Sequence, residues 1–327
     1  MICVGIDIGG TKCAVSLAKC EDSSIEIISK SKFPTYPQPD TSPDETLNHF
    51  LSDANKLLAA EGFTWGDISG IGISCGGPLN SAKGVILSPP NLPGWDEIRV
   101  IEFFENNTGV KTVLQNDANA CAVAEWKFGA GIGCDNMVFL TFGTGLGAGI
   151  IANGQLISGA SDMAGEIGHV RLTADGPVGY GKKGSAEGWC SGGGIAQIGA
   201  MFIKEELSKG NEPELYIRSN RDFSGVTAKL IGDMADEGDE LSLAIYRRAG
   251  EMLGITLSIL IDILNPSRII LGGIFVKSSH LLMPDVNRVI SSEALKYASG
   301  ICEILPAALG DRIGDYAALA LACGINR

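Results

Sequence analysis

Two short units of the same kind lie 134 residues apart, and they limit what this chain can fold into. The first runs from an apolar segment, Cys3 to Ile8, through Gly9-Gly10-Thr11-Lys12 into a second apolar segment, Cys13 to Ala18. The second runs from Met137 to Phe142, through Gly143-Thr144-Gly145-Leu146-Gly147, into Ala148 to Ala152. Two strand-like runs around a glycine turn read as a β-hairpin. Aligning Asp7-Ile8-Gly9-Gly10-Thr11 with Thr141-Phe142-Gly143-Thr144-Gly145 predicts two related domains facing each other.

Other segments fill in the pattern. Residues 44–60 carry Leu47, Phe50, Leu51, Ala54, Leu57 and Leu58 at helical spacing, with acidic residues in the first turn. Ile68 to Ser74 reads as a strand, as does Thr112 to Leu114, which leads into Asn116-Asp117 and an Ala-rich helix to Lys127. A proline-rich loop is expected over Phe33–Pro43, and a turn or loop over 88–95, where three prolines exclude helix and central strand. Leu241 to Leu264 reads as a long helix stopped by Asn265-Pro266, Arg268 to Leu271 as a strand ending in Gly272-Gly273, and Tyr316 to Cys323 as a closing helix. Alternating strands and helices indicate an α/β architecture.

Composition excludes several classes. With 45% hydrophobic and 19% charged residues, the chain can fill real cores. The formal net charge of −13 repels nucleic acid and anionic lipid. Nine cysteines contain no C-x-x-C, and no basic region precedes the apolar N-terminus, so reduced thiols and a cytoplasmic location are expected. Residues 136–161 carry no charge, but their six glycines favour buried strands over a membrane-spanning helix.

Several local motifs point to phosphate chemistry. Gly9 and Gly10 let backbone N–H groups converge on a phosphate, Thr11 adds a hydroxyl, and Asp7 at the strand end is placed to orient water on a magnesium ion. A plain hairpin turn would read the same way. The turn around Thr144 and Gly145 offers the same chemistry, and Gly272-Gly273 a third such place. None matches the G-x-G-x-x-G dinucleotide fingerprint, and Gly176 to Lys183 lacks the final Ser or Thr of a phosphate-binding P-loop. Gly72-Ile73-Ser74-Cys75-Gly76 fits a hydrolase elbow only formally, because Gly77-Pro78 follows where a helix should begin. Asp117 can cap a helix or serve as a general base, and the spacing does not decide. Glu166 and His169, three apart, can meet on one face of a turn, in a structural or a binding role.

Taken in order, DIGGTK at 7–12, PNLPGW at 90–95, NDANA at 116–120, FGTGLGAGI at 142–150, GEIGH at 165–169 and Gly272-Gly273 resemble the ROK family of sugar kinases and sugar-responsive repressors. The resemblance covers essentially the whole chain. It implies a two-domain α/β fold of the actin-like, hexokinase-type (ribonuclease H-like) class with an interdomain active-site cleft. The smaller domain would comprise 1–115 plus 308–327, and the larger one 116–307. It implies ATP and Mg²⁺ as cofactors, a hexose as substrate, and a cytoplasmic enzyme that commonly forms a homodimer. Asp117 resembles the base that deprotonates the sugar hydroxyl; Asn91, Asn116, Glu166, His169 and Glu187 resemble sugar ligands. Asp7, Gly9, Gly10, Thr11, Lys12, Thr144, Gly145, Gly272 and Gly273 resemble the ATP-binding set.

One stretch departs from the family pattern. Family members usually carry C-x-C-G-x-x-G-C-x-E after the GH, with the three cysteines and the histidine on zinc. Here Val178, Tyr180 and Ser185 replace the cysteines, while Glu187 is kept, so no structural zinc site is expected. The alternative reading is a non-catalytic sugar sensor or regulator of the same family. An N-terminal helix-turn-helix ahead of the first strand is not expected, which argues against DNA binding.

Overall fold

A computed structural model describes residues 1–21, 24–36 and 41–324, with the side chain of Asp311 excepted. The middle of the proline-rich loop expected over Phe33–Pro43, residues 37–40, lies outside the described residues, as do 325–327. The chain divides into two compact units. The first comprises Met1–Cys134, Gly149–Ala164 and the segment from Ala308 on; the second comprises Asp135–Ala148 and Gly165–Ala307.

The two glycine hairpins each open a five-stranded sheet. The first sheet has the order Ile25–Pro34, Lys12–Cys20, Ile2–Ile8, Ile68–Cys75, Thr112–Asn116. Its first three strands form an antiparallel meander and the last two run parallel to Ile2–Ile8. The second sheet has the order Gln155–Ile157, Leu146–Ala152, Met137–Phe142, Arg268–Leu271, Glu303–Pro306. Its last two strands again run parallel to the first of the hairpin. The repeat seen at an offset of 134 residues is therefore a repeat of topology. The uncharged window 136–161 is used up by three strands, and among the described residues no helix is long and apolar enough to cross a membrane.

Side-chain alternation along Ile2–Ile8 sets the layers of the first unit. Val4, Ile6 and Ile8 join Leu47, Phe50, Trp95 and Phe104 in the apolar core. The helix Pro43–Glu61 covers that core, and Ser42 and Glu45 form its capping box. Cys3, Gly5 and Asp7 alternate to the other side, where the C-terminal helix Ile313–Cys323 lies. That helix approaches very closely. A Cβ on Gly5 would lie 2.9 Å from Leu319 Cγ, and one on Gly72 only 2.0 Å from the Ala318 carbonyl oxygen. Gly5 and Gly72 are cross-strand partners, so two missing side chains make a flat seat for an Ala-rich helix.

Glu125 fastens the same helix entry. It is fully buried, and its carboxylate accepts hydrogen bonds from the backbone N–H groups of Ala130, Ala308 and Leu309 at 2.8, 3.2 and 2.9 Å. In the second unit the helix Glu240–Leu264 starts at the Asp239 cap and stops at Asn265, which is left-handed at φ 45° and precedes Pro266. The expectation of reduced thiols throughout is corrected by a disulfide between Cys20 and Cys323. The reason is tertiary: helix Ile313–Cys323 ends beside the end of strand Lys12–Cys20, a proximity invisible at a separation of 303 residues. Seven cysteines remain free.

Gly72→Ala puts a methyl group into backbone that cannot yield. It is expected to cost about 1–3 kcal/mol, the usual scale of overpacking. Urea unfolding of the variant against wild type checks this, and equal stability would mean the helix seat is not tight.

Candidate active site

The first unit gathers one set of candidate residues around Asp7. Strand Ile2–Ile8 delivers Asp7 to its end, and the turn Gly9-Gly10-Thr11 follows. Thr35 closes that turn: its hydroxyl donates to the Gly9 carbonyl at 2.5 Å, and its N–H donates to the Thr11 carbonyl at 3.1 Å. A Cβ on Gly10 would lie 2.7 Å from the Asn91 carbonyl oxygen and 2.8 Å from its Cβ. The glycine there serves a close approach, and it sets Asn91 of the 88–95 turn directly against the phosphate-type loop. Lys12 opens the second strand with an exposed side chain.

Asn116 and Asp117 resolve the choice left open by spacing. Asn116 ends strand Thr112–Asn116 and is the cap of helix Asp117–Phe128, its Oδ1 accepting from the Asn119 N–H at 2.7 Å. Asp117 is thus released from capping, and its Oδ1 accepts the neighbouring Ala118 N–H at 2.8 Å. Gln115 orders this corner: its Oε1 accepts from Asn119 Nδ2 at 3.1 Å and from the Asn116 N–H at 3.2 Å, and its Nε2 donates to Ser158 Oγ at 3.1 Å.

Asp7 and Asp117 form an electrostatic pair. Burial raises the Asp7 carboxyl to about 7, with the charges of Asp117 and Asp315 adding to the rise and Lys30 and Lys32 opposing it. Asp117 is open to solvent by area, yet enough protein surrounds it that desolvation also raises its carboxyl, against the pull of backbone N–H groups. Asp315 stands in the first turn of the C-terminal helix, ion-paired with Lys30. At the neighbouring Gly314 a Cβ would lie 3.8 Å from Asp7 Oδ2. Sequence reasoning missed Lys30, Gln115 and Asp315, and no local signal could find a pair 285 residues apart.

The second unit gathers the other set around Glu187. Thr141 braces the second glycine turn, accepting from the Gly147 N–H at 2.8 Å. Glu187, in the short helix Ala186–Cys190, accepts the Leu146 N–H at 3.1 Å. A Cβ on Gly145 would lie 2.7 Å from that same Glu187 Oε2. The GEIGH segment packs on the same strand: Gly165 at φ 94° has no room for a Cβ beside the Ala148 carbonyl, and Gly168 none beside that of Leu146. This places Glu166 at the head of the turn Ile167–His169, with both side chains on an exposed segment.

Each position that carries cysteine in the family pattern has its own structural work. Val178 exchanges backbone hydrogen bonds with the Gln197 side chain at 2.8 and 2.9 Å. Tyr180 meets His169 edge to face at 6.2 Å between ring centroids. Ser185 is buried and caps Ala186–Cys190 by accepting the Gly188 N–H at 3.1 Å. Lys182 adds a bond from Nζ to the His169 carbonyl at 2.7 Å. Among the described residues, no group of three or more metal-ligating side chains surrounds His169.

The late glycine pair joins this set. Gly273, at φ 59°, would place a Cβ 2.1 Å from the Phe142 carbonyl, and the helix Ile274–Glu293 begins right after it. Ser191-Gly192-Gly193-Gly194, overlooked in the sequence, opens another helix against the turn, with the Gly192 N–H donating to the Gly143 carbonyl at 2.8 Å. Two helix N-termini and a glycine turn present N–H donors suited to phosphate oxygens. Ser74 of the formal hydrolase elbow is buried inside strand Ile68–Cys75, which does not run into a helix.

Duplicated sheets of this order, each opened by a glycine turn, define the actin-like fold of sugar kinases. The model of the ROK family matches residues 3–324, and the chain belongs to that family. It is 33% identical over 315 residues to a glucokinase of Halalkalibacterium halodurans, covering 95% of this chain and 92% of that one. It is 32% identical to an N-acetylmannosamine kinase of Citrobacter koseri over 72% of this chain and 79% of that one. The crystal structure of a ROK family glucokinase from Streptomyces griseus in complex with glucose and AMPPNP superposes with a TM-score of 0.76, at 28% identity and 99% coverage of both chains.

Asp7 gives a pH test. Its folded value of about 7 lies above the ordinary 3.8, so the folded chain holds a proton that the unfolded chain releases. The stability from that proton is complete below about pH 4 and lost as pH rises through about 7. Asp7→Asn is therefore expected to gain stability relative to wild type across that window. Denaturation midpoints at about pH 4.5 and about pH 8 check the sign; a constant difference would remove Asp7 as the source.

Gly145→Val tests the coupling between the glycine turn and Glu187. The new side chain must displace the Glu187 carboxylate, so KM for hexose and for ATP are expected to rise together, each by about tenfold or more. Steady-state kinetics with circular dichroism as a folding control decide it, and a change in KM for ATP alone would break the coupling.

Proposed function

We propose that the protein transfers the γ-phosphoryl group of ATP to a hydroxyl of glucose or an N-acetylhexosamine, the 6-hydroxyl being the expected acceptor. ATP-dependent phosphorylation of a sugar is the activity of the enzymes this chain resembles over most of its length. The observation that carries the reading for this chain is the placement of Asp117. It heads a helix, is relieved of capping by Asn116, and has its carboxyl raised by its surroundings. A carboxylate with a raised pKa is a better proton acceptor at neutral pH.

In this reading Asn91, Asn116, Glu166, His169 and Glu187 bind the sugar hydroxyls. Asp117 takes the proton of the attacking hydroxyl as its oxygen forms the new bond to phosphorus and ADP leaves. The turns around Gly9-Gly10-Thr11 and Thr144-Gly145, with Lys12 and Gly272-Gly273, hold the phosphates by backbone N–H groups and charge. Phosphoryl transfer needs mainly this positioning and charge neutralisation. Asp7 and Asp117 are hard oxygen donors, and the charge of Asp117 adds to the rise at Asp7, which fits a cation such as Mg²⁺; when bound, it would neutralise phosphate charge. Tyr180, Lys182 and Ser185 support His169 and Glu187 by packing and hydrogen bonds, in place of a zinc ion. A cytoplasmic homodimer belongs to the same reading.

Asp117→Asn is expected to bind glucose within a few-fold of wild type while kcat falls by about 10²–10⁴. Calorimetry and a coupled ATP assay against glucose, N-acetylglucosamine and N-acetylmannosamine measure both. Wild-type turnover in the variant removes Asp117 as the base. Hexose binding with no turnover on any sugar would favour a sensor.

A further inference from the structure

The face of strand Ile2–Ile8 that carries Asp7 at one end carries Cys3 at the other. The C-terminal helix lies along that face in the opposite sense, with Gly314 beside Asp7 and Leu319 beside Gly5. Its last residue is Cys323, bonded to Cys20 at the end of strand Lys12–Cys20. The Sγ atoms of Cys3, Cys20 and Cys323 all lie within 4.8 Å of one another, and the three residues are 0%, 1% and 2% exposed. No other group of three metal-type ligands is found among the described residues. We propose that Cys3, Cys20 and Cys323 form a three-thiol redox site that tethers the C-terminal helix to the first hairpin, with Cys3 as an alternative partner for either of the other two.

Charge decides between a redox site and a metal site. Three thiolates would place three negative charges in one desolvated spot. Burial pushes the Cys3 thiol up to about 11, and the N-terminal ammonium offsets only part of that. A divalent ion on three thiolates would still leave one buried negative charge and an open coordination position. A disulfide plus a neutral thiol leaves no charge at all.

The chemistry balances with a peroxide as oxidant. One thiol gives up its proton and attacks a peroxide oxygen; the O–O bond breaks, the sulfur becomes a sulfenic acid, and the departing hydroxide leaves with that proton as water. The second thiol attacks that sulfur, the S–S bond forms, and its proton leaves with the hydroxyl as a second water. Two electrons pass from two sulfurs to the peroxide. A dithiol reductant reverses the step by thiol–disulfide exchange. Exchange within the site needs no electron acceptor: Cys3 attacks Cys20 or Cys323, and the displaced sulfur takes up the proton Cys3 gives.

The tether has a structural consequence. Cys3 and Asp7 are four residues apart, about 13 Å along the strand. Oxidation thus fixes the far end of the helix whose first turn borders the site carboxylates. The redox site stands whichever sugar the enzyme uses.

The test uses the full chain, treated with hydrogen peroxide or with dithiothreitol and then alkylated under denaturing conditions. Nine thiols are expected after reduction and seven after oxidation, with peptide mapping placing the link within the three residues. The oxidised form should unfold about 5 °C or more above the reduced form. The variants separate the roles. In Cys20→Ser, Cys3 takes over the link to Cys323, so the thermal shift persists. In Cys323→Ser the link becomes Cys3–Cys20, which closes only a short loop and leaves the helix untethered, so the shift shrinks. Cys3→Ser keeps both the Cys20–Cys323 link and the shift, and controls for folding. Nine alkylatable thiols after peroxide, a link outside the three residues, or loss of the shift in Cys20→Ser with retained folding overturns the proposal. So does one tightly bound zinc or copper per chain that Cys3→Ser releases.

Discussion

The contact between the C-terminal helix and the two central strands of the first sheet governs the geometry of the first unit. It exists because Gly5 and Gly72 are adjacent across the ladder and present backbone where side chains would stand. The helix settles on that seat with the Leu319 side chain over Gly5 and its own backbone, at the Ala318 carbonyl, over Gly72. Once the helix lies there, its first turn must border Asp7 and its last residue must reach Cys20. One packing constraint thus fixes both the electrostatics of the carboxylates and the covalent tether. Glu125 secures the chain entering the helix, its buried carboxylate accepting the backbone N–H groups of Ala308 and Leu309 and joining them to that of Ala130.

The second unit uses the same device with different geometry. Gly165, Gly168 and Gly273 each stand where a Cβ would strike a carbonyl of the second hairpin at about 2 Å. These approaches draw the GEIGH segment and the late glycine pair onto one turn, and Glu187 is bonded to its backbone. The two sets of residues proposed for sugar and for phosphate are therefore not separate modules. Glu187 touches the turn around Gly145, just as Asn91 touches Gly10 in the first unit. If the proposed roles hold, the two sets share backbone, which is a physical route to coupling them.

The loop that carries Val178, Tyr180 and Ser185, where the family pattern has cysteine, is held by contacts of its own. Ser185 caps a short helix, Gln197 clamps Val178, and Tyr180 packs on His169. These are several weak contacts spread over one loop, where a metal would supply a few strong bonds to four atoms. The glycine frame still sets the path: Gly184 is left-handed at φ 66°, and Gly179 leaves room for Glu187 and Gly188.

By itself the sequence determined the local elements, because their causes are local. Alternation and glycine placed the two hairpins, helical spacing and acidic caps placed Pro43–Glu61, and Asn265-Pro266 ended the long helix. The repeat at 134 residues foretold the duplicated sheet order. Motif order identified the family, and it is what suggested Asp117, Glu187 and the glycine turns as the proposed site. Tertiary structure alone decided what depends on distant chain segments meeting. That Asn116 caps and Asp117 does not is a matter of backbone geometry, not of residue type. The Lys30–Asp315 pair, the raised Asp7 carboxyl and the Gln115 network arise from burial and from partners as much as 285 residues away. The cysteine count argued for nine free thiols, yet three of them meet because one helix ends where one strand ends. Spacing along a chain carries no information about such encounters; only the packing of the helix on its glycine seat creates them.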